Sequence, residues 1–519
     1  MTVKVAYQRK RAFQVKKSRQ PNYARAVRIR KRRIERRLRK KQWAEQAKPM
    51  MRAKNIRYQV SEKVRAIGCG GIGAFHKMVQ KIGLAKEIDS RLTLLKIHLP
   101  YHESDHVLNM AYNILVGGIR LEDIELRRQD EGFLDALGAQ RIPDPTTAGD
   151  FTRRFEVKDI ETLMECINEA RRRVWTQSGQ DPMKVAYIDA DGTIARTLAE
   201  CKQGMDISYK GIWGYAPLIV SLANTKEVLF LTNRPGNAPS HLGAAQWIDR
   251  AIELVEPWAE RICLRGDTDF SLTHHFDRWA KRVDFVFGFD AVKPMVTRAD
   301  SLPERAWKRL RRKPKWVVKT ERRERPENVK EEIVREREYV NKKLEAEHVA
   351  EFLYQPTHCG RSYRVVVIRK NISVEMGDLA LFDDIRYFFY ITTLEKLPPA
   401  EVVRIANERC DQENVIEQLK NGVNAMRMPV QDLVSNWAYM VIAALAWNLK
   451  AWFGLLMPNR ERGEQVVKME FRRFLSAFIW LPCHIIRTGR QIVYRLLSYN
   501  AWMEDFLSTW ERIRHLSTA

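Results

Sequence analysis

A chain of 519 residues, 45% of them hydrophobic and 14 of them Trp, is long and apolar enough for two to four domains with their own cores, which excludes a disordered polyelectrolyte. Its 90 Lys and Arg against 64 Asp and Glu leave a formal net charge of +26, a balance that suits a polyanionic partner such as nucleic acid. The longest apolar run, Trp437-Ala-Tyr-Met-Val-Ile-Ala-Ala-Leu-Ala-Trp447, has 11 residues where a membrane span needs about 20, and the seven cysteines stand singly, which excludes a membrane anchor and argues against a disulfide framework or structural zinc.

Residues 1–55 read as a basic arm. Positions 1–50 hold 19 Lys and Arg against two Glu, a net of +17, and the run Arg28-Ile-Arg-Lys-Arg-Arg-Ile-Glu-Arg-Arg-Leu-Arg-Lys-Lys41 would bind a polyanion by releasing its counterions. The arm has no apolar stretch of the signal-peptide kind, and the unpaired cysteines suit a reducing cytosol. Residues 56–180 read as a helical DNA-binding domain. Ser104 is expected to cap a helix from Asp105 to Val116 that ends at Gly117-Gly118, and Pro143-Asp-Pro-Thr-Thr147 to break the chain before a short helix, Ala148–Phe155, capped by Thr146 or Thr147. That basic helix either enters a DNA groove or is a plain bundle element.

From about residue 181 the pattern changes to strands: Val185–Asp191, Ala216–Leu222 and Glu227–Thr232, then a helix from Ser240, a strand at Ile262–Arg265, a helix at Leu272–Lys281 and a strand at Val283–Gly288. The order βββ-α-β-α-β predicts a mixed sheet flanked by helices, an α/β ribonuclease-H-like core, over residues 181–300. Residues 301–392 read as a β-rich insertion with exposed basic loops (Lys308–Lys315, Glu321–Arg325) and alternating runs such as Tyr363-Arg-Val-Val-Val-Ile-Arg369. Residues 393–430 read as a returning core helix and 431–519 as a C-terminal helical region.

Three acids stand out in this layout. Asp191 ends the first strand run and Asp267 ends another, in Arg261-Ile-Cys-Leu-Arg-Gly-Asp267; Glu413 lies in the helix-like stretch Arg409-Cys-Asp-Gln-Glu-Asn-Val-Ile-Glu-Gln-Leu-Lys420. Gathered carboxylates repel one another, and a hard divalent cation is the usual reason for tolerating them. Asp189 shares a strand face with Asp191, so the residues alone leave the first position open between them. Asp269 and Glu417 are same-side neighbours read as bystanders. Arg409, Glu413, Ile416 and Lys420 fall on one helical face, which by spacing alone is also a surface ion-pair ladder. The pair His274-His275 lacks a third ligand, and Gly68-Cys-Gly-Gly-Ile-Gly73 lacks the preceding strand and the Lys-Ser/Thr of a phosphate loop. The C-terminal Trp residues read as helix packing.

The spacing Arg-x₃-Glu-x₆-Lys resembles the signature of bacterial insertion-sequence DDE transposases of the YREK type. That signature has a Tyr three residues before the Arg, where this chain has Ala406. Asp191-Gly-Thr looks like the family's first acid motif and Arg265-Gly-Asp-Thr-Asp-Phe270 like its second. Gly214-Tyr-Ala-Pro-Leu218, Arg234-Pro-Gly-Asn237, Gly117-Gly-Ile-Arg-Leu-Glu-Asp123 and Leu126-Arg-Arg-Gln-Asp130 extend the likeness over most of residues 65–500, leaving the arm unaccounted for. The resemblance implies a metal-dependent polynucleotidyl transferase and endonuclease that cleaves transposon ends and joins their 3′ ends to target DNA. Asp191, Asp267 and Glu413 would be its catalytic metal ligands, favouring Asp191 over Asp189; Arg409 and Lys420 would contact end DNA. It implies Mg²⁺, with Mn²⁺ able to substitute, double-stranded DNA (terminal inverted repeats and target) as partner, a homodimer pairing two ends, and a cytoplasmic, nucleoid-associated place in a bacterial cell. A structure-selective nuclease of the same fold and a non-catalytic, decayed or domesticated DNA-binding protein are the alternatives; the intact acids speak against decay, Ala406 for it.

Overall fold

The computed structural model describes residues 23–39, 57–58, 64–311, 340–376, 379–489 and 491–518. The chain forms two compact units, one of Met1–Gly179, Gly422–Asn424 and Ile442–Ala519, the other of Gln180–Asn421 and Ala425–Val441.

The first unit is mostly helical, built on Ile72–Lys81, Leu84–Arg91, Glu103–Leu115, Pro145–Thr152 and Val157–Ser178. Neither expected cap is used. Glu103–Leu115 starts two residues early, and Ser104 instead donates from both its amide and its hydroxyl to Asp89, each at 2.8 Å. Pro145–Thr152 is capped by Asp144, whose carboxylate accepts from the Thr147 amide at 2.8 Å, while Pro145 occupies the first turn, where no N–H is needed.

The C-terminal stretch expected to be helical contains a β-hairpin, Cys483–Thr488 and Gln491–Leu496, which pairs antiparallel with Ala66–Ile67. Ile485, Ile486, Ile492 and Val493 favour extended backbone, and Gly489, at φ 55, makes the turn. The glycine-rich segment follows directly on Ala66–Ile67 and passes close to the turn Leu475–Ile479: a Cβ at Gly71 would collide with the Phe478 carbonyl, so glycine there permits close backbone packing. Of the basic arm, Tyr23–Leu38 is a helix docked on the same unit through buried Val27 and through Arg30, whose Nη1 donates to the carbonyls of Leu496 (2.7 Å) and Ser498 (3.2 Å). Residues 1–22 and 40–55 of the arm lie outside the described residues.

The second unit is organised by a nine-stranded mixed sheet: β1 (Ala186–Gly192), β2 (Leu218–Leu222), β3 (Glu227–Thr232), β4 (Ile262–Gly266), β5 (Asp284–Phe289), β6 (Lys308–Arg309), β7 (Val340–Tyr354), β8 (Tyr363–Met376) and β9 (Leu379–Thr392), in the spatial order β6-β7-β8-β9-β5-β4-β1-β2-β3. β1, β2 and β3 are antiparallel neighbours, whereas β4 and β5 run parallel to β1. Parallel strands need a crossover, supplied by α1 (Ala244–Val255) between β3 and β4 and α2 (Thr273–Trp279) between β4 and β5. α1 buries Trp247, Ile248, Ala251 and Ile252 on its sheet-facing side.

The insertion is three long antiparallel strands, β7 to β9, continuous with the sheet because β9 pairs with β5 (Phe389 opposite Phe289). Its expected basic loops from 312 to 325 lie outside the described residues. Val349, Val366 and Ile368 of the long strands pack on Val402, Val403 and Ile405 of α3 (Pro399–Glu408). Between β1 and β2 the chain adds a three-stranded sheetlet, Ala195–Arg196, Asp206–Ile207 and Trp213–Tyr215, which the sequence did not disclose. The helix Leu433–Leu455 has the length and apolarity to cross a membrane, and all of its apolar window is buried inside the protein.

Candidate active site

β1 and β4 lie side by side with Asp189 opposite Arg265. Both residues are buried, and the guanidinium grips the carboxylate with two bonds, Nε to Oδ1 at 2.6 Å and Nη2 to Oδ2 at 2.8 Å. Burial works to lower the Arg265 guanidinium, yet Asp189 holds it above its usual value; burial likewise raises the Asp189 carboxyl, and Arg265 is the chief force against that rise. Arg265 Nη1 also donates to the Ile405 carbonyl at 3.2 Å. From α4 (Cys410–Glu417), Gln412 Nε2 donates to the Asp189 and Ile219 carbonyls, each at 3.1 Å. One buried polar network thus ties β1, β2, β4, α3 and α4 together. With both oxygens engaged, Asp189 is the closed member of the Asp189/Asp191 pair.

Asp191, two residues on, is partly exposed at the end of β1. Arg409 Nη1, at the joint between α3 and α4, lies 3.0 Å from its Oδ2. Burial pushes the Asp191 carboxyl up to about 6; Arg409 works against the rise and Asp267 adds to it. Asp267 follows β4 and turns the chain, its Oδ1 accepting from the Asp269 amide at 3.1 Å. Burial raises the Asp267 carboxyl too, with Arg409 opposing and Asp269 and Asp290 reinforcing. The two carboxylates and one guanidinium therefore form a single electrostatic neighbourhood.

Lys420 belongs to it as well: burial lowers its ammonium, Glu417 and Asp191 raise it, and Lys210 lowers it further. Glu413 stands exposed on α4, one turn past Arg409. The single helical face expected for Arg409, Glu413, Ile416 and Lys420 does not run through. The chain breaks at Arg409, Gln418–Gly422 is a π-turn that shifts the helical phase, and Ile416 is buried while Glu413 is exposed. Among the neighbours read as bystanders, Glu417 accepts from Asn421 Nδ2 at 2.5 Å, and Asp269 is exposed. His274 stacks on His358 with ring centroids 3.6 Å apart, and His275 packs on Trp279.

The residues missed by sequence reasoning are Arg265 and Gln412. Arg265 carried a signal: a charged residue inside a short apolar strand, with a same-face acid on another strand, calls for a buried partner.

A match to the family described as transposase DDE domain group 1 covers residues 52–518. The chain belongs to that family. No curated protein matches the chain. Among solved structures, a piggyBac transposase synaptic complex with hairpin DNA is similar at 10% sequence identity over 80% of this chain and 83% of that one, with a TM-score of 0.34, too distant a likeness to support more. DDE transposases are metal-dependent nucleases and transferases that generally use divalent ions. The donor set here fits such an ion: two half-buried carboxylates, Asp267 raising Asp191 and Arg409 acting on both, present hard oxygen ligands to a hard cation.

Proposed function

We propose that this DDE transposase is of the YREK insertion-sequence type and acts in the bacterial cytoplasm, on the nucleoid, as a homodimer that binds the terminal inverted repeats of its element, cuts them and transfers the 3′ ends to target DNA. The observation that carries this reading is the meeting of Asp191 and Asp267 at the ends of two paired strands, under Arg409 from a helix docked on the same strands. The sheet order β3-β2-β1-β4-β5, with only the last two parallel to β1, supports a ribonuclease-H-like core.

In this reading Asp191, Asp267 and Glu413 hold two Mg²⁺ ions, with Mn²⁺ able to replace them. Bound there, the ions would supply an activated water or 3′-hydroxyl and stabilise the leaving oxygen of an in-line displacement. Asp191 and Asp267 do the rest through position, because the network beneath them fixes the two strands against each other. Arg409 keeps Asp191 ionised; once a cation takes over that duty, its guanidinium is available to an end-DNA phosphate, the role the family pattern assigns to it and to Lys420. Residues 56–180 would carry end recognition.

The test is incubation with Mg²⁺ and DNA bearing the inverted repeats that flank the gene. End-specific cleavage that disappears in Asp267→Asn and Glu413→Gln, with binding retained, supports the transposase. Binding without cleavage by the wild type points to a non-catalytic DNA-binding protein. Cutting of branched DNA regardless of end sequence points to a structure-selective nuclease.

A further inference from the structure

The loop between the helices Leu84–Arg91 and Glu103–Leu115 in the first unit gathers His98, His102 and Glu103, whose candidate donor atoms all lie within 4.8 Å of one another. Glu103 is 1% exposed, and its Oε1 accepts from the Leu94 and Leu95 amides at 3.0 Å each. Its Oε2 is left facing His98 Nε2 at 3.0 Å. Burial tends to raise this carboxyl, but the amides and His98 outweigh burial and hold it below the usual range, so it is an anion. The His102 ring stacks on that of His98, centroids 4.3 Å apart and planes at 18°.

A simple ion pair accounts for one imidazole and not for the second. The second ring instead brings a further nitrogen to the same carboxylate, the three donor atoms all lying within 4.8 Å of one another. Imidazole nitrogens next to a carboxylate oxygen are a metal-ligand set. We propose that His98, His102 and Glu103 bind one divalent transition-metal ion, Zn²⁺ by preference.

Tetrahedral zinc with bonds of about 2.0–2.2 Å spaces its donors about 3.3 Å apart, close to the separation His98 and Glu103 already have. His102 is exposed, and its candidate donor nitrogen lies within 4.8 Å of the other two donors, so a rotation of its side chain would bring it in. Water takes the fourth position, open because both imidazoles face solvent. Two nitrogens and one oxygen suit Zn²⁺ or Co²⁺ and serve Mg²⁺ poorly, the opposite of the all-oxygen set at Asp191 and Asp267. Bound metal would staple residues 92–102 across the gap between two helices that the Asp89–Ser104 bonds already join. The site does not depend on the transposase reading, since it uses none of its residues.

The experiment uses the untagged full chain carrying Asp191→Asn and Asp267→Asn, stripped of metal with a chelator and titrated with Co²⁺. The expected result is one equivalent of Co²⁺ with the visible bands of a nitrogen-ligated, low-coordinate ion, displaced by Zn²⁺ and unaffected by millimolar Mg²⁺. His98→Ala and His102→Ala, both at exposed positions and with folding to be checked by circular dichroism, should each weaken Zn²⁺ binding at least about tenfold. No stoichiometric Co²⁺ spectrum, or one unchanged in both variants, overturns the proposal.

Discussion

Asp189 and Arg265 stand opposite each other on β1 and β4; two residues further on come Asp191, still in β1, and Asp267, just past the end of β4. The first layer is closed, each charge buried against its opposite with its hydrogen bonds met. The second layer is open: burial raises both carboxyls, and Asp269 and Asp290 add negative charge that Arg409 and Lys420 do not cancel. A fold needs no such excess of negative charge, whereas a cation site does. The closed layer holds the strands in register so that the open one can remain uncompensated.

Breaking the open layer should leave the fold and remove the function. Asp191→Asn is expected to lower Mg²⁺-dependent end cleavage by at least about a hundredfold, the scale of losing a metal ligand worth several kcal/mol at the transition state. Its unfolding temperature should stay level or rise, because a partly buried charge disappears. Unchanged cleavage would remove Asp191 from the site and return attention to its neighbour.

Breaking the closed layer should do the reverse. Asp189→Ala strands the buried Arg265 guanidinium and is expected to cost about 3–5 kcal/mol in urea unfolding. The double variant Asp189→Leu with Arg265→Met should recover most of that stability, since apolar side chains can replace a buried pair. It should still lose cleavage, because the bond from Arg265 to the Ile405 carbonyl goes with it. A double variant as unstable as the single one would mean that the pair is more than a mutual compensation.

How far the sequence disclosed this arrangement depends on the range of the interactions. The strands β1 to β5 and the acids at their ends were legible, because alternating apolar runs and turn residues are local signals. The hairpin Cys483–Leu496 was not: a helical reading fitted its flanks, and its partner strand lies more than four hundred residues away. The Asp189–Arg265 grip was hidden for the same reason, since it crosses 76 positions. Periodicity placed Lys420 on a regular helix, but it does not register the π-turn at Gln418–Gly422.

A buried ionisable group in the first unit extends the contrast. His106 is 4% exposed and stacks on Phe151, with ring centroids 4.4 Å apart; its Nδ1 has no hydrogen-bond partner among the described residues. Burial lowers its imidazole to about 4, with Arg154 adding to the shift and Asp105 and Glu103 opposing it. The folded state therefore binds this proton less readily than the unfolded chain. The stability it allows is complete above pH about 6.5 and drains away as pH falls toward 4, at most about 3 kcal/mol from this group. His106→Phe should flatten that acid limb in thermal unfolding followed from pH 7 to 4.

The smallest expected effect falls on the rim of the open layer. Asp269 is exposed and touches the site through its amide, which donates to Asp267, and through its charge, which raises the Asp267 carboxyl. Asp269→Asn keeps the amide and removes the charge, so unfolding should move by no more than about 0.5 kcal/mol. The Asp267 carboxyl should then ionise at slightly lower pH, shifting the acid limb of metal binding downward while the plateau stays unchanged. A fall in the plateau itself would make Asp269 a ligand in its own right and would enlarge the open layer by one acid.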